Sequence, residues 1–164
     1  MPIARTLKSP DLYLSAVNNY SYDRTFQAMN LLELSNMNQI LPADDAQHIL
    51  FTMLSNNRLK SVAIQQMSDY VDGGSIISRT LFELLADPGS GGDAAMALSK
   101  SNDLMVLQTL EENLQSSNSI VVKRSILALE LNASFQAKQI LSQFIKTTKD
   151  KQLKQEVERW LNAS

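Results

Sequence analysis

Ser125-Ile126-Leu127-Ala128-Leu129 decides the fold, because its pattern of a small residue, two further positions and a closing pair returns along the chain. Before it come Ala63-x2-Gln66-Met67 and Ala94-x2-Ala97-Leu98, and after it Val157-x2-Trp160-Leu161. The anchors 63, 94, 125 and 157 are separated by 31, 31 and 32 residues. A period of this size marks structural units that stack on one another, each too small to bury its own apolar face.

A second series runs between the members of the first and keeps its phase. It reads Ala46-x3-Leu50-x3-Leu54, Ile77-x3-Leu81-x3-Leu85, Val106-x3-Leu110-x3-Leu114 and Ala137-x3-Leu141-x3-Ile145, with steps of 31, 29 and 31. Residues four apart lie one above another on a helix, so each triplet predicts a buried stripe. Every period therefore holds two amphipathic helices. Helices this short are marginal in water, and stacking supplies the core that one pair lacks.

The segments between the stripes are rich in residues that stop and start helices. Asp72-Gly73-Gly74-Ser75 offers a glycine for a left-handed C-terminal cap and a serine to open the next helix, and Asp87-Pro88-Gly89 is a second stop. Ser116-Ser117-Asn118, Asn132-Ala133-Ser134 and Thr147-Thr148-Lys149-Asp150 carry side chains able to accept bonds from first-turn amides. Connections this short force consecutive helices to pack antiparallel.

Toward the N-terminus the pattern loosens. Ser9-Pro10 predicts a helix start, followed by the stripe Leu12-x3-Ala16-x3-Tyr20. Ala28-x2-Leu31-Leu32 repeats the second-helix motif 35 residues before Ala63, the extra length being taken up by a polar loop, Asn36-Met37-Asn38-Gln39, ahead of Pro42. The expected organisation is a single all-α repeat domain, residues 1–164, of about five helical hairpins. Residues 1–41 form an atypical capping unit and residues 42–164 four more regular repeats.

The second helices resemble the HEAT-repeat family, whose units carry an Asp or Asn, a Val-Arg-like pair, small residues and a closing Ala-Leu. Asn118, Val121, Ser125 and Ala128-Leu129 match that pattern best. Asp150, Leu153-Lys154, Val157 and Leu161 also match, with Trp160 where the family prefers alanine, and the third unit keeps Ala94 and Ala97-Leu98 but has Gly91-Gly92 in place of the Val-Arg pair. The resemblance covers the chain from about residue 43 and implies a right-handed α-α superhelix, an armadillo-like α-solenoid. It identifies a shape more sharply than a job.

Of 164 residues, 44% are hydrophobic and 20% charged, as befits a helical chain able to bury a continuous core. No apolar run approaches the roughly 20 residues that span a bilayer, so a soluble protein without a membrane span is expected. The absence of cysteine excludes disulfides, thiolate metal sites and a cysteine nucleophile, while leaving cytoplasm and periplasm both open.

A net charge of −2 argues against nucleic acid as the partner, because phosphate neutralisation requires a basic surface. The most basic stretch, Lys138 to Arg159, interleaves six positive with three negative side chains and reads as a solvated helix surface. His48 is the only histidine, which removes a histidine metal cluster and leaves it an ordinary surface position. Asp44-Asp45 follows Pro42 at a helix start, where the helix dipole favours acids. Asp87-Pro88-Gly89-Ser90-Gly91-Gly92-Asp93 lacks the strand and the Gly-Lys-Ser/Thr ending of a phosphate loop. No catalytic, cofactor-binding or metal-ligating residue is nominated, and the expectation is a protein that is not an enzyme and needs no cofactor.

Met29, Met53, Met67, Met96 and Met105 are expected to fill gaps between stacked helices, and Trp160 to close the C-terminal end. With Ala63, Ala94, Ser125 and Val157 facing inward, positions two before and two after each anchor point the other way, given 100° per residue. They are Ser61 and Gln65, Gly92 and Met96, Lys123 and Leu127, and Gln155 and Arg159, with Phe26 and Asn30 as counterparts in the first unit. Phe26, Gln65, Met96, Lys123, Leu127 and Arg159 are thus the candidate partner-binding residues of a scaffold that engages a protein or peptide. The resemblance also admits two other roles, a HEAT-like subunit of a phycobilin lyase acting on a chromophore-carrying protein, and DNA binding as in alkylpurine DNA glycosylases. No residue here marks a bilin site.

Overall fold

The computed structural model describes residues 9–18, 20 and 24–163, the side chains of residues 24–29 excepted, and among them the chain forms ten α-helices and two short 3₁₀ turns. The helices are α1 (Pro10–Asn18), α2 (Arg24–Ser35), α3 (Ala43–Leu54), α4 (Lys60–Met67), α5 (Ile76–Leu84), α6 (Gly91–Ser99), α7 (Leu104–Asn113), α8 (Ser119–Asn132), α9 (Phe135–Thr147) and α10 (Lys151–Ala163). The fold is all-α, with no strand among the described residues. Packing divides it into two compact units, residues 1–69 and residues 70–164.

In the second unit, α5 packs on α6, α7 on α8 and α9 on α10, giving three hairpins. Successive hairpins meet through like helices, α6 on α8, α8 on α10 and α7 on α9. In the first unit α3 packs on both α4 and α1. The two sequence series explain these contacts. Ala63, Ala94, Ser125 and Val157 are all fully buried, as are Ala46, Leu50, Leu81, Leu110, Ala137 and Leu141. Burying a leucine or valine side chain contributes roughly 1.5–3 kcal/mol, so the stripes supply the driving force for stacking.

The caps are chemical. Ser75, Asp103, Asn118 and Ser134 each accept a bond from an amide in the first turn of α5, α7, α8 and α9, and Asp150 accepts from Gln152 and Leu153 at the start of α10. Each such cap is worth about 1 kcal/mol. Gly74 takes the left-handed conformation at φ 89°, and Ala133 does so at φ 52° where α8 ends. Gly73 answers a different need, because a Cβ there would stand 2.7 Å from Met105 Cβ.

Polar cross-bonds recur at the repeat distance. Asn132 Nδ2 donates to the carbonyls of Ser99 and Ser101, at 2.8 and 2.9 Å, from 33 and 31 residues away. Ser101 Oγ donates to Val71 O, and Gly73 N donates to Asp103 Oδ2, each across 30 residues. In the first unit Gln66 Nε2 donates to Leu34 O across 32 residues, and Asn38 Nδ2 to Asp69 Oδ2 across 31. Side chains therefore repeat in hydrogen bonding what the stripes repeat in apolar contact, and each pins an otherwise unpaired loop or helix-end group.

Three expectations are corrected. In α1 the buried residues are Tyr13 and Val17, while Leu12 is 38% exposed, so the helix turns one position from the predicted stripe and buries the larger aromatic. The segment 36–39 is a 3₁₀ turn over Met37–Gln39 with Met37 fully buried beneath it. Met53 and Met67 fill the core, but Met96 and Met105 are 50% and 60% exposed. Met29 lies outside the described side chains.

Candidate functional site

Most of the nominated row is exposed. Ser61 and Gln65 on α4, Met96 on α6, Lys123 and Leu127 on α8, and Gln155 and Arg159 on α10 all face solvent, whereas Gly92 and Asn30 are half-buried. Phe26 lies outside the described side chains. Geometry brings only part of this row together. Lys123, Leu127 and Arg159 line one groove of about 430 Å³ between α8 and α10, floored by Ile126 and Leu153 and walled by Trp160. Met96 belongs to α6, and Gln65 belongs to the other unit.

Spacing of three and four residues on α8 builds the groove. Lys123, Leu127 and Glu130 occupy successive turns of one face, while Ile126 turns inward to near-complete burial. On α10, Glu156, Arg159 and Trp160 share a face by the same rule. Trp160 is half-buried, lines the groove as its wall, and carries the Lys138 ammonium 5.9 Å from its ring centroid. Glu130, Glu156 and the wall role of Trp160 are additions to the nominated row. Glu130 was legible as the residue one turn beyond Leu127; which residues α10 sets opposite it was not.

Electrostatics make the groove uneven. Partial burial, and then the charge of Glu156, push the Glu130 carboxyl above the ordinary glutamate range. Arg159 turns back along its own helix, its Nε donating to Gln155 O at 3.3 Å. Among the described residues, Glu156 accepts a bond from Gln152 Nε2, at 3.2 Å. Glu130 and Glu156 thus line the groove together with Lys123 and Arg159, and neither carboxylate has an ion-pair partner among the described residues.

The junction on the other face of α8 is closed. Arg124 points toward the α5–α6 connection, where Nη1 donates to the carbonyls of Leu85 and Asp87 and Nη2 to Pro88 O. Gly91 makes this possible, since a Cβ there would lie 1.8 Å from Arg124 Nη1 and 2.7 Å from Leu85 O. The glycine that departs from the family pattern is the seat of a guanidinium.

Elsewhere, a groove of about 400 Å³ between α7 and α9 is lined by Leu104, Leu107, Ile140 and several glutamines. Leu104 in its lining is 67% exposed, while Phe135, at 70%, lines a neighbouring depression with Lys138 and Lys146. The basic stretch spreads over α9 and α10, and Lys154 pairs with Glu158 at 3.9 Å. Among the described residues no group of His, Asp and Glu could hold a metal ion, His48 is exposed, and no helix is long and apolar enough to cross a membrane.

Comparison of the chain with protein-family models, with curated proteins and with solved structures finds no match.

Proposed function

We propose that the protein is a non-catalytic interaction scaffold, a HEAT-type α-solenoid whose second helices offer a docking face to a protein or peptide. The observation that carries this reading is the groove between α8 and α10, where Lys123, Leu127 and Arg159 meet. Its volume, about 430 Å³, is suited to a few side chains, and its mixture of exposed leucine, half-buried tryptophan and charged rim is the composition of a recognition surface. Cross-bonds at the repeat distance support the stacked reading of the hairpins. A rigid helical stack holds such a face in place without needing a lid.

The test is a chain carrying Met96→Ala, Lys123→Ala, Leu127→Ala and Arg159→Ala together. All four positions are exposed, so each change costs no more than roughly 0.5 kcal/mol and leaves the far-UV circular dichroism unaltered. Partner capture is expected to fall about tenfold or more, the loss of one or two well-packed contacts. Undiminished capture by the fourfold variant contradicts the face.

A further inference from the structure

We propose that the occupant of the α8–α10 groove is a peptide segment bearing a lysine or arginine, set between Glu130 and Glu156, beside an apolar side chain resting on Leu127 and Trp160. This deepens the docking reading above and rests on it.

Charge complementarity selects the occupant. Glu130 is half-buried, lines the groove, and has no ion-pair partner among the described residues. Glu156 approaches from the neighbouring helix and adds a second negative charge. Lys123 stands seven residues before Glu130, roughly 10 Å away along the helix axis, and Arg159 is engaged with its own backbone. One end of the groove on α8 is therefore cationic and the other anionic. A segment with a basic residue at the Glu130 end relieves the repulsion between two carboxylates that the fold holds together, and forms charge-assisted bonds with both.

Shape selects the rest. Leu127 is 37% exposed and Trp160 is half-buried, so the groove has apolar surface left to cover. The aliphatic stem of a lysine or arginine covers such surface while its head reaches the acids, and a neighbouring leucine-like side chain completes the contact. Nucleic acid is disfavoured by the same geometry, because its phosphates would meet two carboxylates. A metal ion is disfavoured too, since among the described residues no third acidic or histidine ligand joins the pair.

A phage-displayed random-peptide library selected on the full chain tests this, with the most enriched peptide resynthesised carrying a fluorophore and titrated by polarisation. The expected peptide pairs a basic with a large apolar residue and binds about tenfold or more weaker to the Glu130→Gln/Glu156→Gln chain, the usual cost of losing charged hydrogen bonds. Changing its basic residue to glutamine is expected to cost as much. Glutamine leaves the groove's shape intact and removes the repulsion, so the variant folds at least as well as the parent, as circular dichroism will show. Peptides that lose affinity with Leu127→Ala but bind the double-glutamine chain as well as the parent overturn the basic occupant and leave the docking face standing. A selection that yields no peptide sensitive to either variant overturns both.

Discussion

The two faces of α8 carry the same repeat and end in opposite results. Toward α6 the neighbour presents Gly91, Ala94 and Ala95, all buried and small, and the helices close on each other with Arg124 seated over Gly91. Toward α10 the neighbour presents Leu153, Glu156 and Trp160, and a groove of about 430 Å³ remains. Small side chains let backbones approach, while bulky or charged ones hold them apart. A repeat thus fixes which helices meet, and side-chain size decides whether their meeting is structural or leaves a place for something else.

Enlarging the closed side should do the most damage. Ala94→Leu adds three carbons at a fully buried position, with an expected loss of about 3 kcal/mol in urea denaturation. A stability equal to the parent's would mean that the junction has slack that the packing does not show. Gly91→Ala comes next, at roughly 2 kcal/mol, because its methyl meets both the guanidinium and the Leu85 carbonyl. Its neighbour makes the control. Nothing lies within 4 Å of a Cβ at Gly92, so Gly92→Ala should stabilise by about 0.5–1 kcal/mol through helix propensity alone. Two adjacent glycines with opposite signs in the same denaturation assay would locate the close approach at residue 91.

Ser125 sharpens the comparison from the middle of α8. Its hydroxyl is fully buried and finds no hydrogen-bond partner among the described residues, at the position where other repeats carry Ala63 and Ala94. If the position is specified by size, Ser125→Ala should raise stability by about 1 kcal/mol, the cost of an unsatisfied hydroxyl. A loss of stability instead would assign the hydroxyl a bond.

The smallest effects are those of pH. Glu130 has its folded-state affinity for protons raised, by burial first and by Glu156 second, so its contribution to stability is full below the ordinary glutamate range and is lost as pH rises through its raised folded value. Glu130→Gln should flatten that decline in thermal melts taken from acid to neutral pH. Asp103 behaves oppositely. Bonds from the amides of Gly73 and Met105 lower its pKa, so its contribution is full above the ordinary aspartate range and is lost as pH falls through the lowered folded value. Asp103→Asn should weaken the chain's loss of stability in strong acid, and an unchanged acid slope would remove Asp103 from that account.

What could be read in the sequence follows a physical divide. The two stripes and the caps at Ser75, Asn118, Ser134 and Asp150 were legible because helical periodicity and first-turn amides act within one or two turns of the chain. The exposed positions of Met96, Lys123, Leu127 and Arg159 followed from the same 100° rotation. The α1 stripe was placed one residue off because Leu12 and Tyr13 are both apolar, and only packing on α3 chooses between them. Gly91 looked like a departure from a pattern until Arg124, 33 residues later, supplied its reason. The groove was hidden for the same cause, since it depends on which side chains of α10 stand opposite those of α8.

The central claim is that the open junction of α8 and α10 docks a partner segment while the closed junction with α6 does not. Amide chemical-shift mapping of the full chain, titrated with the selected peptide, tests it most directly. The account predicts perturbations concentrated at Lys123–Glu130 and Leu153–Trp160. Perturbations concentrated instead at Leu104, Leu107 and Ile140, in the groove between α7 and α9, would contradict it.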